Sequence, residues 1–342
     1  LLRMEGKLSL YKATITPRMS ALAESKHSRV FTKLALKDIV TQVLGEYGLA
    51  AGEDFEFRLV DPPPAEEHVS QYKESDLDFI HRWMEREGWT YFFDHEGSSE
   101  KMVIVDSKTA HESLRSEAVR YFPQNDGDGT TRNTFREVAR KSSATPGRVR
   151  IKDYDYMKPA VDVAGTATVS PQGLGELTTY GARVFEPDAA TRLARIRSEE
   201  LLARALTYHA LGAAAHVRAG YTFELWDHPR ASMNKAYLAT TTRHVGMQPS
   251  MGEPWGSSVP KMEHADVYTI EVGAIEADRQ FRNASTTPWP RVDGFENALV
   301  DGAASSPYAQ IDADGRYLLK FHYDESPNKD GTASTRVRMA QP

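Results

Sequence analysis

The sequence contains no cysteine. Disulfides, thiol nucleophiles and Cys-ligated zinc are thereby excluded. The absence fits a chain made in a reducing cytoplasm, or one that crosses redox compartments without needing thiols, and does not choose between them. No apolar run approaches the ~20 residues needed to span a bilayer. No signal-peptide pattern opens the chain. It begins Leu1-Leu2 without an initiator Met, so an incomplete N-terminus is expected and the question of a leader stays open. Basic residues are in the minority, 42 Lys and Arg against 48 Asp and Glu, for a net charge of −6. The basic footprint of a nucleic-acid binder is missing, and no nucleic-acid partner is expected.

Catalytic signatures are missing too. There is no G-x-S-x-G elbow, no Walker A loop and no G-x-G-x-x-G after a strand. The 11 histidines are scattered and no H-E-x-x-H occurs; His111-Glu112 is followed by Ser113, Leu114 and Arg115 rather than a second ligand at that spacing. Asp126, Asp128 and Glu137 mimic the first, third and twelfth positions of a calcium loop, but Thr131 stands where the sharp turn needs glycine. Asp312-Ala313-Asp314-Gly315 fails because its glycine comes too early. Both read as turns. The carboxylate pairs Glu85/Glu87 and Glu199/Glu200 fall on expected helices among arginines and read as solvated charged faces. The expectation is therefore no catalytic, cofactor-binding or metal-ligating residue, no cofactor, and no enzyme within this span.

What is present is a globular composition, 40% hydrophobic and 26% charged over 342 residues, enough for about two or three domains. Leu36, Ile39, Val40, Val43, Leu44 and Tyr47 share one helical face, with Gly48 as the stop. A second helix is expected from Ser75, capped with Asp78 three residues on and ended by Gly88. Leu77, Ile80, Trp83 and Met84 line its buried side. Trp89-Thr90-Tyr91-Phe92-Phe93 and Met102–Val105 then read as a β-hairpin. An aromatic stacking platform at Trp89–Phe93 is the less favoured alternative, because the preceding helix needs cover. Further strands are expected from Leu8 through Ile15, at Glu53–Val60, Arg148–Tyr156, Val161–Val169, Tyr221–Leu225, Tyr237–His244, Val267–Ile275, Gly315–Tyr323 and Thr335–Met339. The longest helix is expected over Asp188–Leu211. Residues 107–146 read as a connector, 171–183 as a loop, and the segment between the Tyr237 and Val267 strands as a long exposed loop.

Three segments, in order, resemble the type VI secretion spike family (valine–glycine repeat protein G). Gln71-Tyr72-Lys73-Glu74-Ser75-Asp76-Leu77-Asp78-Phe79-Ile80, with Arg82, Glu85, Glu87-Gly88-Trp89 and Tyr91-Phe92-Phe93, is similar to the signature Q-Y-x-E-S/T-D-x-D-F-I/L-x-R-x-x-E-x-E-G. Gly220, Phe223, Leu225 and His228-Pro229, followed by Asn234 and Tyr237-Leu238, resemble G-x-x-F-x-L-x-x-H-P and N-x-x-Y-L; His228 would orient a loop. Gly315-Arg316-Tyr317, Phe321 and Arg336-Val337-Arg338-Met339-Ala340-Gln341 resemble the family's entry into an oligonucleotide/oligosaccharide-binding (OB) barrel. Two departures stand out. Ala35 replaces the usual Ser helix cap, which should weaken that helix start by about 1 kcal/mol, and Thr335 replaces the usual Trp.

The resemblance implies a mainly β chain with helical insertions (α+β): two phage-hub-like β-barrels followed by the beginning of an OB-fold barrel. The expected boundaries are 1–110 for the first hub barrel with helical insertions, 111–146 for a connector, 147–288 for the second hub barrel with the long helix 188–211, and 289–342 for a truncated OB-fold start. The implied role is structural, a homotrimer joining a sixfold inner tube to a trimeric puncturing needle. Its implied partners are the inner tube hexamer protein, baseplate components, and a spike-tip protein and effectors carried by the needle. It would be assembled in the bacterial cytoplasm and injected into target cells. The alternatives are the hub of a contractile phage tail or extracellular injection particle, or an effector-carrying spike whose enzyme domain, such as a peptidoglycan hydrolase, lies beyond residue 342.

Overall fold

The computed structural model describes residues 3–5, 8–115, 118–123, 133–246, 268–306, 308 and 310–340, with backbone alone for 3–5 and 8–10. The Asn125–Gly129 run, the loop expected between the Tyr237 and Val267 strands, His264 and Gln341-Pro342 lie outside these residues in whole or in large part.

The N-terminal unit begins with β1 (Arg3–Glu5) and β2 (Leu8–Leu10), an antiparallel pair. The strand expected from Leu8 to Ile15 ends early, and Tyr11 and Ile15 are exposed. β3 (Lys26–Leu34) is followed by α1 (Leu36–Glu46), whose buried residues are Leu36, Ile39, Val40, Val43 and Leu44. Ala35 gives no side-chain cap, and its carbonyl accepts from Asp38 N and Ile39 N instead. β4 (Phe55–Arg58), β5 (Glu66–Ser75), α2 (Asp76–Glu87), β6 (Thr90–Asp94) and β7 (Lys101–Val105) complete the unit. β3 pairs antiparallel with β5. In the second sheet β7 lies between β4, parallel, and β6, antiparallel. Ser75 Oγ accepts from Asp78 N at 3.0 Å at the start of α2, and Gly88 ends it at φ 71°. The core is Leu22, Phe31, Phe55, Phe79, Ile80, Trp83, Met84, Trp89 and Ile104 with the apolar face of α1.

Next come β8 (Val119–Tyr121), β9 (Thr134–Ser142), β10 (Arg148–Asp153), β11 (Val163–Thr168), β12 (Glu176–Tyr180), α3 (Pro187–Ala205), β13 (Leu206–Gly212), β14 (Thr222–Trp226), β15 (Ala236–Gly246) and β16 (Tyr268–Glu276). Six of these close into a barrel in the order β13-β16-β15-β14-β8-β9 around Val119, Phe135, Tyr208, Phe223, Leu225, Tyr237, Ile270 and Val272. Between β9 and β13 the chain inserts a second layer, the sheet β11-β10-β12 covered by α3. Val149, Ile151 and Val163 pack there against Ala190, Leu193 and Ala194. The helix comes so close that a Cβ on Gly165 would lie 2.2 Å from Thr191 N.

Three expectations are corrected. Residues 111–146 are not a connector, because β8 and β9 within them are barrel strands. In β9 only Phe135 is buried, so the strand carries no hydrophobic alternation, and its place is set by backbone pairing to β13. The long helix stops at Ala205 rather than Leu211. There Leu206 turns extended (φ −142°, ψ 108°), and Leu206 and Tyr208 bury on the inner face of β13, hydrogen-bonded to β9 and β16 on either side. The loop 171–183 contains β12, an edge strand exposed throughout, paired parallel to β10.

The chain is thus mainly β with helical insertions. One sheet closes among the described residues, while the N-terminal strands form open sheets. At the C-terminal end, β17 (Ala298–Asp301) and β18 (Leu318–Phe321) form an antiparallel pair. The strand expected at Thr335–Met339 reduces to a single bridge, Tyr317 to Val337. The following loop covers the outer edge of β3: Asp324 Oδ1 accepts from Val30 N at 3.0 Å, and Asn328 donates to Val30 O at 3.0 Å. That edge is not left open to pair with another chain.

Candidate functional site: a buried ionic junction

The residues of the first motif converge where β3, β5 and α2 meet. Period-two alternation in β5 turns Gln71 inward, fully buried. Its amide donates to Asp76 Oδ1 at 2.7 Å, and its carbonyl oxygen accepts from Arg29 Nε at 2.8 Å. Asp76, also fully buried, further accepts from Arg29 Nη2 (3.1 Å) and from the Tyr47 hydroxyl (2.7 Å), and its carboxylate faces His27 Nδ1 at 3.0 Å. Arg29 reaches on to Glu46 at 2.6 Å. Nearly two turns into α2, Arg82 forms a two-pronged pair with Glu74, Nε to Oε2 and Nη2 to Oε1, each 2.7 Å. Burial alone would push the Asp76 carboxyl up, but hydrogen bonds from Gln71, His27 and Tyr47 and the charge of Arg29 hold it below its ordinary range. A buried charge is tolerable only when paired; Asp76 is met by four side chains, and Arg82 by the Glu74 carboxylate.

The far end of α2 joins this unit to the rest. A Cβ on Gly88 would lie 2.8 Å from Ile196 Cγ2 of α3 and 3.0 Å from Arg282 Cδ. Glycine is thus required both for the left-handed φ and for the close approach. Arg282 Nη1 donates to the carbonyls of Gly88 and Asp106, 2.6 Å each, and its Nη2 pairs with Glu199 at 2.8 Å. Glu85 accepts from Thr286 N, Thr287 N and Thr287 Oγ1, Glu87 pairs with Arg192, and Glu200 holds Arg197, Arg204 and Ser285 N. The carboxylate pairs Glu85/Glu87 and Glu199/Glu200 are therefore not solvated faces. α2 and α3 face each other, the 282–289 segment passes over both, and the charges are one another's partners. Towards the barrel, Phe92 stacks edge-on against Tyr221 at 5.4 Å, with Gly220 leaving room for its ring.

Among the described residues the histidines do not converge on a ligand site. His81 bonds the Tyr91 hydroxyl at 3.0 Å, His68 bonds Ser70 Oγ at 2.8 Å, and His111 donates to Gly220 O at 2.8 Å. His228 organises its turn: its Nδ1 accepts from Arg230 N, and Asn234 bonds both its backbone N and O. Asp312 accepts from the backbone N of Asp314 and Arg316, a turn. Asp126 and Asp128 lie outside the described residues, and Glu137 lies exposed in β9. Among the described residues no three His, Asp or Glu side chains are grouped to hold a metal. The carboxylates of the junction are held in ion pairs and backbone bonds, so what the arrangement can do is fix the angle between α2, α3 and the barrel.

The Phage tail baseplate hub (GPD) family model matches residues 2–250. The chain belongs to that family. Among curated proteins it is similar to the type VI secretion system spike proteins VgrG1b and VgrG1a of Pseudomonas aeruginosa, 27% and 28% identical over 340 residues. These alignments cover 98% of this chain and 44% and 51% of the relatives. It is also similar to the actin cross-linking toxin VgrG1 of Vibrio cholerae serotype O1, 28% identical, covering 97% of this chain and 30% of the toxin. The chain thus spans about half the length, or less, of these curated relatives. Among solved structures, the E. coli c3393 protein, described as a component of the type VI secretion system, matches with a TM-score of 0.62 at 18% identity, over 93% of this chain and 70% of that one. The 43 kDa tail protein of prophage MuSo2 from Shewanella oneidensis matches with a TM-score of 0.53 at 11% identity, over 76% of this chain and 71% of that one. These likenesses establish the hub fold.

Proposed function

We propose that this chain is the hub region of a type VI secretion spike and works by assembly. The observation that carries the reading is the 340-residue alignment to spike proteins across 98% of the chain. The hub family match and the ion-paired junction support it. In this reading three copies form a ring that joins a sixfold inner tube to a threefold needle. Two related units per chain, repeated three times, would offer the tube six similar surfaces. The tube protein, baseplate components and needle-borne effectors are the partners, with assembly inside the bacterium before injection into a target cell.

A protein named as a toxin and proteins named as spikes each align with nearly the whole chain, so the reading places any enzymatic activity outside it. Deleting the gene and measuring release of the inner tube protein into the medium tests the role. Release should stop and return on complementation, and unchanged release would contradict the proposal. A second assay, of the purified chain on peptidoglycan and lipid esters, should show no turnover. Turnover abolished by a single His or Asp substitution would favour an enzyme instead.

A further inference from the structure

β6 is an edge strand, because the sheet order β4-β7-β6 leaves it a single neighbour. The direction of its backbone groups follows from that neighbour. Met102 N donates to Asp54 O on the β4 side at 2.8 Å. Met102 and, two residues on, Ile104 therefore turn their N–H and C=O away from β6. Phe93 and Tyr91 stand opposite them. The N–H and C=O of Tyr91 and Phe93 thus point outward, and among the described residues no strand pairs with them.

This edge opens on a groove of about 420 Å³ between the N-terminal unit and the barrel, and Thr90, Tyr91, Phe92 and Phe93 all line it. Side chains alternate between the faces of a strand, so four consecutive residues line one groove only along the strand's edge. The opposite wall is Ala219-Gly220 with Leu238, Thr240 and Thr242 of β15. β15 cannot close the gap itself, since it is already paired on both sides, to β14 and β16. Exposed edges are normally blunted by charge, proline or a covering loop. β3 has its loop, whereas Thr90-Tyr91-Phe92-Phe93 carries neither charge nor proline.

The lining includes Arg218, His95, His111 and His244 but no carboxylate, in a chain that carries more acid than base. The nearby acids Asp94 and Glu96 face Arg218, at 3.9 and 2.8 Å. Unpaired strand donors and acceptors beside an apolar groove fit an extended chain. We propose that β6 accepts an extended segment of a partner polypeptide as a further strand, hydrogen-bonded to Tyr91 and Phe93. The segment sets an apolar side chain in the groove and a carboxylate, rather than an ammonium, at the mouth lined by Arg218 and the histidines. β6 is five residues long, about 17 Å of edge, so the segment is short.

The test uses the whole chain and the probe acetyl-Thr-Val-Thr-Val-Glu-amide, with amide hydrogen exchange read by NMR. The probe should bind saturably and slow exchange of the Tyr91 and Phe93 amides about tenfold or more. Lys in place of the probe's Glu should weaken binding about threefold. N-methylation of alternate probe residues removes strand donors and should abolish the protection. Thr242→Trp, which fills the groove from the barrel side, should do the same at an unchanged melting temperature, whereas Arg243→Trp, outside the lining, should not. No saturable binding of the parent probe, equal protection by the N-methylated one, no preference for Glu over Lys, or full binding to Thr242→Trp would overturn the proposal. Protection that grows with protein concentration alone would give the groove to a second copy of this chain and overturn it as well.

Discussion

Around α2 the buried side chains include Gln71, Glu74, Asp76 and Arg82, joined by hydrogen bonds with directions and lengths. Inside the barrel they are Val119, Phe135, Leu225, Ile270 and Val272, joined by contact alone. A polar cluster at the barrel rim, where Glu276 takes Lys235, Arg279 and Tyr208, meets that core only at the Tyr208 hydroxyl. Apolar packing tolerates small shifts in angle, whereas a two-pronged Arg–carboxylate pair does not. The difference places the angle between β5 and α2 in the ionic cluster and the integrity of the barrel unit in its apolar core.

The largest expected effects separate the two regions. Trp83→Ala removes a buried side chain that packs on Trp289 at 5.3 Å and should cost about 3–5 kcal/mol, read as melting of the N-terminal unit. Phe92→Ala has the same chemistry but a different place. Sequence reasoning puts both in one helix-on-sheet core, yet Phe92 clusters with Val103, Val105 and Tyr221, so its loss should loosen the N-terminal unit from the barrel. Hydrogen exchange along the chain distinguishes the two. Identical exchange maps for the two variants would erase the distinction between core and junction.

Arg82→Leu should also cost about 3–5 kcal/mol, because it strands Glu74 as a buried unpaired charge. The double variant Arg82→Leu/Glu74→Leu should recover much of that in a denaturant melt while leaving the angle between β5 and α2 less well fixed. Gly88→Ala should cost about 1–3 kcal/mol through strain and the contact with Ile196. Gly48→Ala, at a similar φ of 70° with open space around it, should cost about 1 kcal/mol.

The same contrast decides what the sequence makes legible. α2 is readable end to end, because the Ser75 cap, the apolar stripe and the Gly88 stop are all local. β5 is not, since its inward side chains include Gln71 and Glu74, which read as surface. β9 and β12 are set by long-range pairing, and the helix-to-strand change at Leu206 has no glycine or proline to announce it. The first motif is conspicuous as a string of residues. That Arg29 and Tyr47, outside it, complete the site around Asp76 follows only from the pairing of β3 with β5. The charge runs on α2 and α3 read as solvated when each helix is taken without the other, and only their facing, with the 282–289 segment over both, sets Glu85, Glu87, Glu199 and Glu200 against partners.

A smaller effect is expected from acid. Burial holds the pKa of His68, His81, His111 and His216 below the ordinary 6.5. The unfolded chain therefore binds more protons than the folded one as pH drops, so the stability tied to the neutral rings is complete above about pH 6.5 and is lost below it. Three of the four lie in or beside the N-terminal unit, and His216 lies before β14. At the barrel rim, burial would raise Glu276, but Lys235, Arg279 and Tyr208 hold it down to about 2. Its contribution persists until the pH falls below 4.5 toward that value. Protection of the N-terminal unit should therefore decline at a higher pH than that of the barrel; simultaneous decline would remove the contrast.

The central claim is assembly by a threefold ring, and solution mass across a concentration series tests it most directly. The account predicts concentration-dependent association to a species three times the 38.2 kDa chain mass. Association should be modest and salt-dependent, because each copy carries a net charge of −6. A chain that stays monomeric at every concentration, or closes as a stable dimer or a true hexamer, would contradict it.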